Sequence, residues 1–271
     1  MFPKLSIIFV NYQSKNLIKQ NLDWLYRQNF PFSFEIIVVN NDARENFSDW
    51  FSHYQNLQII TSKKNGGFAF GLNLGAKTAS GEYLLVLNPD VVILNNSLEM
   101  LIEHAEKNPQ VGLVAPKLLN PDGSVQLSCR NWHTPSTILA RRTFLGQTKW
   151  GQKKIHQHLL LDWPHDQTSP VPWVYGGCFL VRKIAWDDLN GMDERYFLYF
   201  EDIDFCRSLW QKNWAVHYLP ASQIVHYHSQ ESLVGGGLRD IFLPSTRIHI
   251  TSGLKYLLKW RGQSTPEIKL L

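Results

Sequence analysis

The sequence predicts an α/β fold with a doubly wound, mostly parallel sheet, and three observations support this. The first ninety residues alternate short apolar runs with segments of helical periodicity, the order that produces parallel strands joined by right-handed crossovers. The apolar runs are nearly continuous, as in strands buried on both faces. Of the 271 residues, 44% are hydrophobic and 18% charged, which excludes disordered and fibrous classes.

The individual elements follow from these patterns. Strands are predicted at residues 5–10, 34–39, 57–60, 83–87, 111–115, 173–182, 215–219 and 224–228. Helical stripes are formed by Leu17, Ile18, Leu22 and Leu25, by Phe47, Trp50 and Phe51, and by Phe70, Leu74 and Ala76. Further helices are predicted at residues 98–107, 201–212 and 246–260, and a hairpin turn at residues 120–123. No segment has the composition of a flexible linker, so we expect one domain.

Composition and charge exclude several classes of protein. The apolar runs reach only about five residues, whereas a membrane-spanning helix needs roughly 20, and no basic-then-apolar leader is present. Three cysteines without a CxxC motif favour a reducing cytoplasm. A net charge of +4 is too small to indicate nucleic-acid binding.

The basic residues are unevenly distributed. Between Asp122 and Asp162 there is no acidic residue, and the stretch contains Arg130, Arg141, Arg142, Lys149, Lys153, Lys154, His133, His156 and His158. This stretch is either a solvated insertion or a surface that meets anionic lipid or a diphosphate. Together with the aromatic and basic tail, it predicts peripheral binding to the inner face of the cell membrane.

Polar residues follow the first four predicted strands. They are Asn11, Asn40, Asn41 and Asp42, then Asn65, Gly66 and Gly67, then Asn88 and Asp90. Groups just past the carboxyl ends of parallel strands line one crevice, the usual ligand site of such sheets. No G-x-G-x-x-G and no P-loop motif is present, so Asp90 is either a turn residue or a ligand for Mg²⁺ or Mn²⁺ shared with a diphosphate.

Two further groups of residues are candidates for a general base and for a metal ligand. Glu201, Asp202 and Asp204 lie at a predicted helix start after an aromatic run, where they either complement the helix dipole or provide a general base that is ionised near pH 7. Asp202 and Asp204 cannot face the same way, so one of them is functional and the other structural. His226 and His228 project to one face of a strand, and one of them either completes the metal site with Asp90 or is a surface histidine.

These segments together resemble the inverting family-two glycosyltransferases of the GT-A fold, most closely their rhamnosyltransferase-like branch. The motifs are SIIFVNY from Ser6, VVNND from Val38, NGGF from Asn65, GEYLLVLNPD from Gly81, YGGCFLVR from Tyr175, GMDERYFLYFEDIDFCR from Gly191 and VH from Val225. The resemblance implies transfer of a sugar from a dTDP- or UDP-sugar to a hydroxyl of a saccharide or lipid-linked acceptor, with a divalent metal, Mn or Mg.

The resemblance also implies roles for residues. It implies that Asp202, beside Glu201, is the catalytic base. It also implies that Asp90 and His226 are the metal ligands. It implies that Asn11, Asn40, Asn41, Asn65, Gly66, Gly67, Asn88 and Asp90 bind the donor. The family's metal motif has a carboxylate at both ends, whereas here Asn88 takes the first position, and Asn40 likewise stands where the family usually has Asp.

The resemblance divides the single domain into a nucleotide-sugar-binding part at about 1–120, an acceptor part at about 121–245 and an amphipathic tail at about 246–271. Two other functions are open. A sugar-phosphate nucleotidyltransferase is expected to have a Gly-rich basic loop after the first strand, which this chain lacks. A non-catalytic sugar- or nucleotide-binding protein with a decayed transferase site is suggested by Asn40 and Asn88, and opposed by Asp90, Asp202 and His226.

Overall fold

A computed structural model describes residues 2–227 and 243–271 of the chain. Four parallel strands form one half of a central sheet in the order β3-β2-β1-β4. They are β1 (Leu5–Asn11), β2 (Phe34–Asn40), β3 (Leu57–Thr61) and β4 (Tyr83–Leu87). Each predicted strand of this half is confirmed to within one residue, because continuous apolar runs are distinctive for strands covered on both faces.

The connections of this half are α1 (Lys15–Leu25), a 3₁₀ helix (Ser48–Ser52), α2 (Phe68–Thr78) and, after β5 (Val91–Ile93), α3 (Ser97–Lys107). The face predicted for α2 is partly wrong, since Ala69, Leu72 and Ala76 are its buried apolar residues. Glycines bring this helix close to the sheet: a Cβ on Gly75 would lie 2.7 Å from the Ile8 side chain.

The second half continues the sheet in the order β4-β10-β6-β11-β5, with β8 also paired to β11. Its strands are β6 (Val111–Leu119), β8 (Ser169–Pro170), β10 (Cys178–Arg182) and β11 (Ala215–His226). β10 is antiparallel to both neighbours and β11 is parallel to β6, so the whole sheet is mixed but mostly parallel.

Two strand predictions of this half need correction. The predicted strand at 173–182 is divided into β9 (Trp173–Val174) and β10, and β9 pairs with β7 (Cys129–Arg130) in a separate ribbon. The glycines between the two pieces let the backbone leave the sheet plane. The two strands predicted at 215–228 form the single strand β11, which is irregular between Leu219 and Gln223, and His228 lies outside the described residues.

Five α-helices belong to the second half of the described chain: α4 (Pro135–Arg142), α5 (Lys149–His158), α6 (Lys183–Asp188), α7 (Glu201–Gln211) and α8 (Pro244–Lys259). The basic stretch therefore forms α4 and α5. Apolar clusters lie on both faces of the sheet, and all three cysteines are free and buried. No helix within 2–227 or 243–271 is long and apolar enough to cross a bilayer.

Candidate active site

The polar residues that the sequence predicts to line a crevice lie at the carboxyl ends of β1, β2 and β4. Asn11 and Asn40 are fully buried there, and the Asn11 Nδ2 donates to Asn40 Oδ1 at 2.9 Å and to Glu45 at 2.5 Å. Asn40 in turn accepts from the Asp42 N–H and donates to the Glu45 carbonyl. The hydrogen-bonding groups of Asn40 are thus occupied by the protein, and this amide shapes the loop after β2.

Asn41 has a different environment. Its Nδ2 donates to the Gly67 carbonyl at 3.0 Å, which fixes the orientation of the amide because a flipped amide would set two oxygens against each other. Its Oδ1 is buried and has no hydrogen-bond partner among the described residues. A buried acceptor without a donor is costly unless a ligand completes it, so Asn41 can accept from a bound N–H.

Asp42 is held beside Asn41 by a charged partner. The Arg44 guanidinium donates to both carboxylate oxygens, from Nε at 2.8 Å and from Nη2 at 2.5 Å. These bonds lower the pKa of Asp42 to about 2. The loop after β2 therefore contains a carboxylate that is ionised at neutral pH.

The Asn65–Gly67 loop joins the crevice to the second half of the chain. The Asn65 Oδ1 accepts from the Gly67 N–H at 3.0 Å, and the Phe68 N–H donates to the Phe197 carbonyl at 2.9 Å. Gly67 has a φ of +92°, and a Cβ there would lie 2.0 Å from the Phe197 carbonyl oxygen. Only glycine fits this position, which brings the start of α2 against the aromatic run before Asp202.

The predicted metal pair, Asp90 and His226, is brought together. The His226 Nε2 lies 3.4 Å from the Asp90 Oδ1, with His226 buried and the Asp90 side chain 28% exposed. The Gln126 Oε1 lies 3.0 Å from the His226 Nδ1, and the Gln126 Nε2 donates to the His226 carbonyl at 2.8 Å. The second bond fixes the amide, so Nδ1–H must donate to Oε1, and Nε2 is the nitrogen turned toward Asp90.

This pair fits a divalent cation. Neighbouring ligands on a cation with bonds of about 2.1 Å lie about 3 Å apart, close to the observed separation. No group of three or more His, Cys, Asp or Glu that could hold a metal occurs within residues 2–227 and 243–271. The remaining coordination positions would fall to phosphate and water oxygens, which is usual for Mg²⁺ and Mn²⁺. Asn88 is half-buried, and its backbone N–H donates to the Gly177 carbonyl at 3.0 Å.

The carboxylate cluster begins at a strained segment. Tyr199 and Phe200 both have positive φ, 68° and 70°, which is rare for bulky side chains and costs of order 1–3 kcal/mol each. The strain turns the chain into α7 so that Glu201 and Asp202 point inward, where both are buried. Such strain persists at functional sites when the surrounding packing holds it.

Asp202 lies against the glycine segment that connects it to the metal pair. Its Oδ2 accepts from the Gly176 N–H at 3.2 Å and its Oδ1 from the Ile203 N–H at 2.8 Å. A Cβ on Gly177, the next residue, would lie 3.4 Å from the His226 ring. Residues 175–177 therefore lie between the carboxylate and the Asp90–His226 pair.

Burial decides the protonation of the two neighbouring acids. It raises the pKa of Asp202 to about 6, although the N–H groups and the Arg130 charge favour ionisation. The N–H groups at the helix start lower this pKa by less than burial raises it, and Asp202 is still mostly ionised at pH 7. Burial and then the Asp202 charge raise the pKa of Glu201 well above its usual range, which favours the protonated form of Glu201 beside an ionised Asp202.

Asp204 belongs to a structural cluster on the other side of α7. Its carboxylate accepts from the Tyr196 hydroxyl, the Trp260 indole and the Lys259 ammonium at 3.1, 2.8 and 2.7 Å. The two aspartates thus face opposite environments, as the helical spacing predicted.

Comparison with known proteins identifies the family. Residues 6–158, more than half of the chain, match the sequence model described as glycosyl transferase family 2, and residues 83–240 match glycosyl transferase family group 2. The chain belongs to glycosyl transferase family 2. The predicted resemblance is confirmed.

Two relatives of this family 2 chain indicate its branch. It is 28% identical over 190 residues to the N-acetylglucosaminyl-diphospho-decaprenol L-rhamnosyltransferase of Mycobacterium tuberculosis, covering 66% of this chain and 61% of that protein. It is 26% identical over 268 residues to rhamnosyltransferase WbbL of Escherichia coli, covering 94% and 93%. The chain therefore spans about three-fifths of the length of the first relative and nearly all of the second.

Solved structures confirm the GT-A fold. The mannosyltransferase PcManGT from Pyrobaculum calidifontis, in complex with GDP-Man and Mn²⁺, is similar with a TM-score of 0.63 at 16% identity, over 98% of this chain and 66% of that one. TarS from S. aureus is similar with a TM-score of 0.56 at 17% identity, over 83% and 60%. At these identities the likeness concerns the fold alone.

The contacts of three residues near the family 2 site were not predicted from the sequence. Gln126 orients His226. The Asn73 side chain binds the backbone of Met192: its Oδ1 accepts from the Met192 N–H at 2.9 Å and its Nδ2 donates to the Met192 carbonyl at 2.8 Å. Arg130 was noted only as part of the basic stretch, yet its charge acts on Asp202. Asn73 and Gln126 each lie about a hundred residues from their partner, a separation that no local pattern encodes.

Proposed function

We propose that this chain is an inverting glycosyltransferase that moves a sugar, rhamnose, from a nucleotide diphosphate to a hydroxyl of a lipid-linked or growing cell-surface polysaccharide. The observation that carries the proposal is the position of Asp202, a buried carboxylate with a pKa of about 6, beside the segment that contacts His226. Two relatives are named rhamnosyltransferases, which supports the choice of sugar.

The donor would occupy the crevice after β1, β2 and β4. The buried Asn41 Oδ1 is suited to accept the ring N–H of uracil or thymine, which favours a UDP- or dTDP-sugar. Asn11 and Asn40 would support this site by shaping the loop after β2. The Asn65–Gly67 loop and Asn88 would line the diphosphate and sugar.

A divalent metal fits the same site. Asp90 and His226 would hold Mn²⁺ or Mg²⁺, with Gln126 keeping the imidazole in the required tautomer. When bound, the cation neutralises charge on the diphosphate leaving group.

The chain's own residues then account for a single displacement. Asp202 takes the proton of the acceptor hydroxyl, and the acceptor oxygen bonds to the anomeric carbon as the bond to the diphosphate oxygen breaks. One displacement inverts the anomeric configuration and requires no covalent enzyme intermediate. A general base contributes about 10²–10⁴-fold, and orientation in the crevice supplies much of the remainder. Glu201, protonated beside Asp202, keeps a second negative charge out of the site.

Successive parts of the chain have different proposed roles. Residues at about 1–120 bind the donor and residues at about 121–245 bind the acceptor and supply the base. The basic stretch and the exposed side chains of the tail from about 246 would bring the enzyme to the inner face of the cell membrane.

A donor screen tests the function. UDP- and dTDP-sugars are added with and without Mn²⁺ and the melting temperature is measured; a donor at a hundred times its Kd should stabilise the fold by about 2.7 kcal/mol, roughly 5–10 °C. NMR of the transfer product should then show the anomeric configuration opposite to that of the donor. Retention would contradict the mechanism, and donor binding with neither transfer nor hydrolysis would favour the decayed binding protein.

A further inference from the structure

The strained turn before α7 is not explained by its own sequence. Tyr199 and Phe200 have φ values of 68° and 70°, and neither is a glycine or an asparagine, the residues that tolerate this region best. Such a conformation persists only when contacts from the surrounding structure hold it. Asp202 follows the turn by two residues, so the contacts that hold the turn also bear on the direction of Asp202.

Helix α8 packs against this turn along one face. The Ser252 Oγ donates to the Leu198 carbonyl at 2.9 Å, and Ser252 is buried. The centre of the His249 ring lies 4.9 Å from that of the Tyr199 ring and 5.2 Å from that of the Phe200 ring. Ser252 and His249 are three residues apart, which places them on the same side of a helix. The helix thus holds the backbone of the turn by a hydrogen bond and both strained residues by ring contacts.

Further contacts hold the segment that leads to the turn. A Cβ on Gly253 would lie 3.2 Å from the Phe200 ring, so the backbone of α8 approaches this ring closely. The Lys255 Nζ donates to the Arg195 carbonyl at 2.6 Å. The first N–H of α2 donates to the Phe197 carbonyl at 2.9 Å. The segment before α7 is therefore held between α2 and α8.

We propose that Ser252 and His249 are positioning residues of the transfer reaction: they hold the turn before α7 and so fix the direction of Asp202. The inference rests on the proposed function, in which Asp202 is the base. The Asp202 Oδ2 accepts from the Gly176 N–H at 3.2 Å, at the upper end of the range for such bonds. A small rotation of the first turn of α7 would therefore break this bond and turn the carboxylate away from the acceptor.

Steady-state kinetics of Ser252→Ala test the inference, because this change removes the donor to the Leu198 carbonyl. We expect kcat to fall by at least about tenfold, since a misplaced reacting group costs this much or more. The donor KM should stay close to the wild-type value, because the donor crevice lies after β1, β2 and β4. Thr251→Ala is the matched control: Thr251 is exposed, and its hydroxyl donates to the Arg247 carbonyl of the same helix at 2.8 Å.

The pH profile of kcat/KM reports on Asp202 itself. The titratable and charged groups that act on Asp202 or are acted on by it are Glu201, Arg130, Tyr175 and Cys206, and Ser252→Ala changes none of them. Burial is the largest influence and raises the pKa of Asp202 to about 6, so a carboxylate that turns toward water should have a lower pKa. In Ser252→Ala the acid decrease of kcat/KM should therefore occur at lower pH than in wild type, which a loss of stability alone would not produce.

Two substitutions at His249 test the ring contacts separately. His249→Ala removes the ring from Tyr199 and Phe200, whereas His249→Phe keeps an aromatic ring there. We expect His249→Ala to lower kcat as Ser252→Ala does, and His249→Phe to restore most of the lost activity. Equal losses in the two His249 variants would exclude ring packing as the role of this residue.

All variants are assayed well below their melting temperatures, with folding checked by circular dichroism. A wild-type kcat or an unchanged pH profile in folded Ser252→Ala would overturn the inference, and so would an equal loss of kcat in Thr251→Ala. Wild-type behaviour of Ser252→Ala together with loss of transfer in Asp202→Asn would remove this inference and leave the proposed function standing. Unimpaired transfer in Asp202→Asn would instead show that the proposed base is wrong.

Discussion

Asp202 and Glu201 are adjacent buried acids, and burial raises the pKa of both, that of Glu201 well above its usual range. The nearby N–H donors and Arg130 lower the cost of charge on Asp202 only in part, which leaves its pKa near 6. Such a group is mostly ionised at pH 7 and is still basic enough to accept a proton.

We expect Asp202→Asn to lower kcat by about 10²–10⁴-fold, because the amide keeps the shape but cannot accept the proton. Donor affinity should change little, and this is checked by titrating the nucleoside diphosphate in Mn²⁺. Unimpaired transfer in Asp202→Asn would exclude this residue as the base.

The pH dependence follows from the same pKa. The reaction needs ionised Asp202, so kcat/KM should fall as the pH decreases through about 6 and level off above pH 7. A profile of kcat/KM between pH 5 and 8 measures this decrease. A flat profile across this range would contradict the assignment.

A third prediction at this scale concerns Asp90 and its neighbours. Asp90→Ala should abolish the Mn²⁺-dependent part of nucleoside diphosphate binding, and Gln126→Leu should weaken it about tenfold by releasing the His226 tautomer. Calorimetric titrations with Mn²⁺ and with EDTA separate the metal-dependent part of nucleoside diphosphate binding from the metal-independent part. If nucleoside diphosphate binding depends on Mn²⁺ equally in Asp90→Ala and wild type, Asn88-Pro89-Asp90 forms only a turn and holds no metal.

Among the elements, α7 and α8 are fastened together by the cluster at Asp204. Lys259 bridges Asp204 and Asp193, and the Trp260 indole donates to the same Asp204 carboxylate. Tyr256, Lys259 and Trp260 therefore hold α8 on the domain, which corrects the expectation that these tail residues face a membrane.

Asp204→Asn should destabilise the fold by on the order of 2 kcal/mol, because Lys259 loses a buried counter-charge while the amide still accepts from Trp260. For a chain of this size we expect a melting temperature lower by roughly 4–8 °C. Below that temperature, kcat should remain close to the wild-type value. Loss of transfer in a folded Asp204→Asn variant would show that Asp204, and not Asp202, acts as the base.

For the whole molecule, the basic stretch and the exposed apolar residues suggest a membrane-facing surface. Lys149 and Lys153 lie on α5 near Phe144 and Trp150, which are 78% and 44% exposed. We expect vesicles with anionic lipid to co-sediment the protein at low salt and to release it at high salt. The double variant Lys149→Glu with Lys153→Glu should bind more weakly than wild type; equal binding to neutral vesicles would contradict the electrostatic part.

The sequence by itself determined the strands of the first half, the polar residues that follow them and the family. Continuous apolar runs, turn residues at strand ends and the motifs around Asp90 and Asp202 are all local patterns. The opposite environments of Asp202 and Asp204 also followed from helical spacing alone.

Only the tertiary structure decided which groups meet and which protons they hold. Gln126 contacts His226 across a hundred residues, and Asn40 is satisfied by Glu45, whereas the Asn41 Oδ1 has no partner within the described part of the chain. The pKa of Asp202 depends on burial by segments far apart in the chain, which no local pattern specifies. Local sequence sets periodicity and turns, but desolvation and hydrogen-bond partners arise only when distant segments pack together.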